Sequence, residues 1–367
     1  MPDAAPRPRT STRDLDTTRK ALTDWLAERA GAAVTVSALD IPPANGMSSE
    51  TLLFDATWDG RTHGLVARVA PDPANMPVFP RYDIGAQFRV IVDLHELGVI
   101  PLPNPRWCEE DAAVLGAPFF VMDRVEGVVP PDLMPYNFGD SWLFDASPEQ
   151  QRQVQRTSIE VLAAVHGIDD ADSRFAYLEL PGRTEPTALR RHVANERAYY
   201  EWVCADHASP LIERGFEWLD AHWPADEGQT RLSWGDARIG NIMYRDFRPV
   251  AVLDWEMATL GPRELDVAWM LFLHRFFEDI AVIAGFPGMP GFMRREDVAA
   301  TYEELTGHRP RDLDFYTLYA ALRHAIIMTR IGRRAIHFGE AELPADVDDL
   351  ITHRATLERM IEGAYWQ

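Results

Sequence analysis

The sequence predicts an α+β chain of two lobes: a small, antiparallel, β-rich N-terminal lobe and a larger, mostly helical C-terminal lobe. Three observations carry this. A length of 367 residues suits two cores better than one. Up to about residue 123, runs of β-forming residues and turn signals surround one amphipathic helix. Beyond about residue 127 helical periodicity takes over, interrupted by one strand-like stretch at 231–256. The expected division is a flexible tail over 1–15, an N-terminal lobe over 16–123 and a C-terminal lobe over 124–367.

Taken in order, Leu22, Trp25 and Leu26 mark a short helix within 17–30. The turn cluster Pro42-Pro43-Ala44-Asn45-Gly46 precedes a strand from Thr51 to Trp58. Asp59-Gly60 is a hairpin signal, and Leu65–Val69 returns. Ile84, Phe88, Ile91 and Leu94 predict a helix that Gly98 stops. Arg106–Cys108 and Phe119–Met122 complete the sheet. Residues 128–146 are rich in proline and aromatics and have no period; Tyr136, Phe138, Trp142 and Phe144 either wall a pocket or pack as a flap. Ser147-Pro148-Glu149-Gln150 predicts a capped helix start, and that helix runs to about His166. Residues 186–222 and 264 onward read as helical, with a Gly/Pro break at 285–291. The basic cluster Arg330, Arg333 and Arg334 reads as a solvated helix face.

Composition excludes several function classes. The net charge of −21 argues against nucleic acid or an anionic membrane as partner. It reads first as solubility, with a slight tilt toward cationic substrates. Of 36 basic residues only Lys20 is a lysine, and it follows Arg19. A Gly-Lys-Ser/Thr phosphate loop is therefore excluded, and Schiff-base chemistry is disfavoured. Two cysteines, Cys108 and Cys204, make no disulfide framework. No apolar leader and no membrane-spanning run is expected, which fits a cytoplasmic protein. His-Glu-x-x-His, Gly-x-Ser-x-Gly and Gly-x-Gly-x-x-Gly are all missing.

The chemistry concentrates in Trp234-Gly235-Asp236-Ala237-Arg238-Ile239-Gly240-Asn241 and in Val252-Leu253-Asp254-Trp255-Glu256. Two short strands between them form a hairpin, which brings Asp236, Asn241 and Asp254 together. Asn241 and Asp254 offer hard oxygen ligands of the kind Mg2+ takes. Asp236 is left to accept a proton from a hydroxyl, and Arg238 to neutralise a transferring phosphoryl group.

These residues resemble the aminoglycoside phosphotransferase-like family of small-molecule kinases. The family loop reads His-Gly-Asp-x4-Asn, with its metal Asp on the next strand. The resemblance runs over about 18–335 and includes Leu162–His166 and Gly261–Trp269. Within the family, the chain looks closest to the actinobacterial-type and acyl-CoA-dehydrogenase-linked branch. The resemblance implies a bilobal protein-kinase-like fold and a kinase using Mg2+ with ATP or GTP. It assigns the catalytic base to Asp236, a phosphate contact to Arg238, the metal to Asn241 and Asp254, and a structural role to Asp266.

Three departures stand out. Trp234 replaces the family's His, and its indole N–H can still donate. Arg68 stands where the family's strand lysine binds phosphate. Gln87 stands where a helix Glu pairs with that lysine. The resemblance further places phosphate contacts at Ser48 and Ser49, and the adenine beside Met122, Asp123 and Val125. Aminoglycosides, choline-like alcohols, sugars and hydroxyacyl compounds all suit such a fold as acceptors. The competing reading is a nucleotide-binding pseudokinase that regulates without turnover. A protein kinase is disfavoured, because Asp254-Trp255-Glu256 runs straight to Gly261-Pro262 without an activation segment.

Overall fold

The computed structural model describes residues 13–42, 49–132, 135–180, 182–205 and 207–365. Ser48 lies outside them. The chain divides into two compact units. One holds the described residues up to Val92, Pro103–Val125 and Ile331–Leu343. The other holds Asp93–Leu102, Glu126–Arg330 and the described residues from Pro344 on.

The first unit is built on β-hairpin logic. Helix α1 (Leu15–Ala30) is capped by the Asp14 side chain and ends at Gly31 in a left-handed conformation. Strands β1 (Thr35–Val36), β2 (Glu50–Trp58), β3 (Arg61–Val69), β4 (Pro105–Glu109) and β5 (Phe119–Asp123) form one sheet in the order β1-β2-β3-β5-β4. Every pairing in it is antiparallel. Asp59 and Gly60 turn β2 into β3 with φ of 50° and 72°, the two positive values a tight two-residue hairpin requires. Leu52, Phe54 and Ala56 on β2 and Leu65, Ala67 and Val69 on β3 are buried at period two. Trp25 of α1 packs edge-on against Phe119 of β5 at 4.8 Å. Burying each such large apolar side chain contributes about 1.5–3 kcal/mol. Helix α2 (Ile84–Leu97), whose residues from Asp93 on count with the second unit, ends at Gly98, φ 64°.

The second unit is mostly helical. Its helices are α3 (Pro148–His166), α4 (Ala171–Arg174), α5 (Ala188–Val203), α6 (Pro210–Ala221), α7 (Glu264–Ile283), α8 (Arg295–Thr306), α9 (Leu313–His337) and α10 (Arg354–Ile361). The last residues of α9 count with the first unit. Ser147 and Gln150 form the expected reciprocal capping box on α3. Every residue of α7 from Glu264 to His274 is buried, so this helix runs through the core. Two small ribbons carry the site. Strand β6 (Arg231–Ser233) pairs with β9 (Thr259–Gly261), and β7 (Ile242–Arg245) pairs with β8 (Arg248–Val252).

Two expectations change and one open alternative resolves. Arg330, Arg333 and Arg334 do not form a solvated face: Arg334 is 5% exposed and Arg330 lies over the Trp202 ring at 4.1 Å. Of the two arrangements open for the aromatics of 128–146, packing is seen for Tyr136 and Phe138, which are buried, with Phe138 stacked on Phe286 at 4.7 Å. The stretch 231–256 holds three strands, not two runs, and its first strand pairs with β9 beyond it. Among the described residues no helix is long and apolar enough to cross a membrane.

Candidate active site

The loop that follows β6 is fixed from beneath by one buried carboxylate. Asp266 is wholly buried in the first turn of α7, where the helix dipole favours an anion. Its Oδ1 accepts from Ser233 Oγ at 2.7 Å and Gly235 N at 2.9 Å. Its Oδ2 accepts from Trp234 N at 2.7 Å and His166 Nε2 at 3.0 Å. His166 in turn meets Tyr302 OH through Nδ1 at 2.8 Å. Burial alone would raise the Asp266 carboxyl; the hydrogen bonds and charge of His166, with those of Ser233 and Gly235, hold it below the usual range.

Gly235 is the point the loop turns on. Its φ is +90°, and a Cβ there would stand 2.0 Å from the Met257 carbonyl oxygen. Trp234 is fully buried, and its Nε1 donates to the carbonyls of Leu253 at 2.9 Å and Asp254 at 3.1 Å. The indole thus ties the loop to the end of β8. Asp254 follows that strand with φ +60°, a left-handed conformation an aspartate tolerates.

Above this floor Asp236 sits in a cradle of side-chain donors. Oδ2 accepts from Arg238 Nε at 3.0 Å and Asn241 Nδ2 at 2.6 Å, and Oδ1 accepts from Trp269 Nε1 at 2.7 Å. Asn241 Nδ2 also donates to the Asp236 carbonyl at 3.1 Å. Both contacts are with acceptors, so the carboxamide orientation is settled and its oxygen faces away from Asp236. Asn241 O accepts from Leu253 N at 2.8 Å, which brings the loop beside the residue preceding Asp254. Arg238 also donates through Nη1 to Asp132. Burial would lower the Arg238 guanidinium; the charges of Asp236 and Asp132 overcome this and hold it above its ordinary value.

Reading the sequence alone misses two of these partners, Asp132 and Trp269. Asp132 lies in the aperiodic proline-rich stretch. Trp269 is three residues past Asp266, so one helix face carries both the support of the loop and a donor to Asp236. Asn241 and Asp254 supply oxygen donors suited to a small hard cation. Among the described residues no group of three or more His, Cys, Asp or Glu side chains gathers as a metal cage. Two protein oxygens completed by phosphates and water is the arrangement Mg2+ commonly takes.

The expected nucleotide contacts fall in the first unit. Arg68 is on β3 and is paired on both sides, with Thr51 of β2 and Phe120 of β5, so it is not an edge-strand residue. Its Nη1 donates to Thr51 Oγ1 at 2.7 Å. Gln87 is buried on α2, and among the described residues no hydrogen bond joins it to Arg68. Ser49 Oγ is buried without a hydrogen-bond partner among the described residues. Met122 pairs with Val66. The Asp123 carboxylate is engaged by Arg106 Nε at 2.6 Å and Asn104 Nδ2 at 3.0 Å. The amides of Asp123 and Arg124 bond Asn104 O and Gly64 O, both at 2.9 Å, whereas Val125 makes no backbone hydrogen bond among the described residues.

The family model described as APH, phosphotransferase enzyme family, matches residues 41–307. The chain belongs to this phosphotransferase family. Mouse acyl-CoA dehydrogenase family member 10 is similar at 26% identity over 280 residues, covering 74% of this chain and 24% of the relative. The chain therefore spans about a quarter of the length of the curated relatives it matches. Among solved phosphotransferase structures, a candidate aminoglycoside phosphotransferase of Ralstonia eutropha aligns with a TM-score of 0.66 at 23% identity, over 95% of this chain and 98% of that one. A mutant of aminoglycoside phosphotransferase APH(4)-Ia, held with ADP and hygromycin B, aligns with a TM-score of 0.57 at 17% identity, over 93% and 98%. At these identities the likeness is one of fold, and it is the kinase-like α+β fold of the phosphotransferases.

Proposed function

We propose that this chain transfers the γ-phosphoryl group of Mg-ATP or Mg-GTP to a hydroxyl of a small molecule, with Asp236 as the base. The observation that carries the reading is the convergence of Asp236, Asn241 and the end of β8 through the 2.6 Å and 2.8 Å bonds described above. In this reading residues 16–123 bind nucleotide, and residues 124–367 supply catalysis and the acceptor site. Ser48, Ser49 and Arg68 meet the phosphates, and Gln87 belongs to the same nucleotide site. The backbone beside Met122, Asp123 and Val125 meets the adenine, and the Val125 amide, unbonded among the described residues, supports that assignment.

Asn241 and Asp254 would hold Mg2+, which when bound neutralises charge on the transferring phosphates. Asp236 orients the acceptor hydroxyl and takes its proton as the hydroxyl oxygen bonds to the γ-phosphorus. The bond to the bridging oxygen breaks, and the nucleoside diphosphate leaves. Arg238, kept charged by its two carboxylate neighbours, screens the equatorial oxygens.

Titration calorimetry of Mg-ATP and Mg-GTP against wild type and Asp254→Asn tests the reading without knowledge of the acceptor. Metal-dependent binding that the variant loses supports it; no binding by wild type sinks it. A hydroxyl screen follows. The hygromycin B complex of the structural neighbour brings aminoglycosides into it, and the names of the curated relatives bring hydroxylated acyl compounds. The pseudokinase alternative, motivated by Arg68, Gln87 and Trp234, requires binding with no turnover on any acceptor. A cytoplasmic setting, where Mg-ATP is abundant, accompanies the kinase reading.

A further inference from the structure

Each oxygen of a carboxylate offers two lone pairs. Asp236 Oδ2 has both occupied, by Arg238 Nε at 3.0 Å and Asn241 Nδ2 at 2.6 Å. Oδ1 has one occupied, by Trp269 Nε1 at 2.7 Å. Among the described residues one acceptor position is therefore left on the carboxylate, and it is on Oδ1. We propose that Trp269 is a positioning residue that makes Oδ1 the proton-accepting oxygen of Asp236 and fixes the direction from which a hydroxyl reaches it. The inference rests on the kinase reading, to which it adds the oxygen and the approach. The proton of the incoming hydroxyl passes to the remaining Oδ1 lone pair, while Oδ2 stays bonded to Arg238 and Asn241.

Trp269 is built to hold that direction. It is 2% exposed on α7, one turn beyond Asp266, so its backbone is anchored by the same helix end that holds the loop. The Arg323 guanidinium lies over its ring at 4.6 Å. Arg323 is itself buried and faces Glu196 Oε1 at 3.4 Å. A cation on the face of an indole draws π density toward itself, which leaves the N–H edge more positive and a stronger donor. His324 stands edge-on to the same ring at 6.3 Å and restricts its tilt. A tryptophan serving packing alone would need some partner for its N–H. It would not need the last-but-one lone pair of the base, nor a buried cation across its face.

The test uses the full chain with Mg-ATP, following ADP release to water or to an acceptor found in the screen. Trp269→Phe keeps the ring packing and removes the donor. It should lower kcat by about 10- to 100-fold while the KM for Mg-ATP changes by less than about twofold. Arg323→Met keeps the indole and removes the cation, and should show the same split with a smaller loss. Trp269→Phe turning over at the wild-type kcat overturns the proposal and leaves the kinase reading standing. A wild type that neither binds nor cleaves Mg-ATP fells the reading itself, and the proposal with it.

A second readout needs no turnover. In protein labelled with 15N-tryptophan, the indole resonance missing from Trp269→Phe should move in both Asp236→Asn and Arg323→Met. If Trp269→Phe does not fold, the one resonance that moves in both other variants identifies the same group. An indole signal indifferent to Asp236→Asn overturns the proposal.

Discussion

Replacing Asp266 by Asn removes one acceptor oxygen from a site where four donors converge. Two of the four can adapt. The Ser233 hydroxyl can rotate and accept. His166 can present a bare Nε2 by carrying its proton on Nδ1, with Tyr302 accepting. The backbone N–H groups of Trp234 and Gly235 cannot adapt. They bond different oxygens of Asp266, so whichever oxygen the amide nitrogen replaces, one of them faces a donor. That costs one charge-assisted bond, about 1.5–3 kcal/mol, and leaves a buried N–H unpaired at about 1–3 kcal/mol more. Burying a neutral amide in place of a charge offsets part of this, leaving a net loss of about 2–4 kcal/mol. Urea unfolding of wild type and variant at pH 7 measures it. The sign with pH follows from the depressed carboxyl. Its contribution is complete above the ordinary value of 3.8 and is lost as pH falls through the lower folded-state value. The gap between wild type and variant should therefore be full at pH 7 and close in strong acid. Coincident urea midpoints at pH 7 would refute the anchoring account.

Gly235→Ala forces a Cβ to 2.0 Å from a carbonyl oxygen at a φ of +90°, so the variant should lose its folded second unit in circular dichroism and proteolysis. Trp234→Phe removes the N–H that holds the carbonyls of Leu253 and Asp254; a loss of about 1–2 kcal/mol in urea, with weaker Mg-dependent nucleotide binding by calorimetry, is expected. Ser147→Ala breaks the capping box of α3 and should cost about 1 kcal/mol with unchanged nucleotide affinity, and an effect below about 0.3 kcal/mol would speak against it.

What was legible in the sequence was local. Asp59-Gly60 dictates its own hairpin because both residues accept positive φ, and Ser147-Pro148-x-Gln150 writes its own cap. The approach of the Asn241 loop to the end of β8 was readable because a two-strand ribbon allows few ways to close. The β6–β9 pairing was not, since three-residue strands have no periodicity to detect. Asp132 and Trp269 escaped for a related reason. Each reaches its partner from another element, at separations of 106 and 33 residues, and nothing in the local pattern marks either. Arg334 was misjudged because the charge of an arginine says nothing of how much of its stem is covered.

Arg68 on an interior strand, in a chain whose only lysine is the exposed Lys20 of α1, changes how the molecule meets reactive chemicals. Acyl-phosphate nucleotide probes report on kinases by acylating an amine beside the phosphates. A guanidinium is not the amine such probes acylate. If Arg68 meets the phosphates as proposed, surveys built on such probes would pass over this protein. The same scarcity makes Lys20 a single handle for side-chain amine coupling, so a fluorophore placed there marks α1 and leaves Asp236, Asn241 and Asp254 untouched.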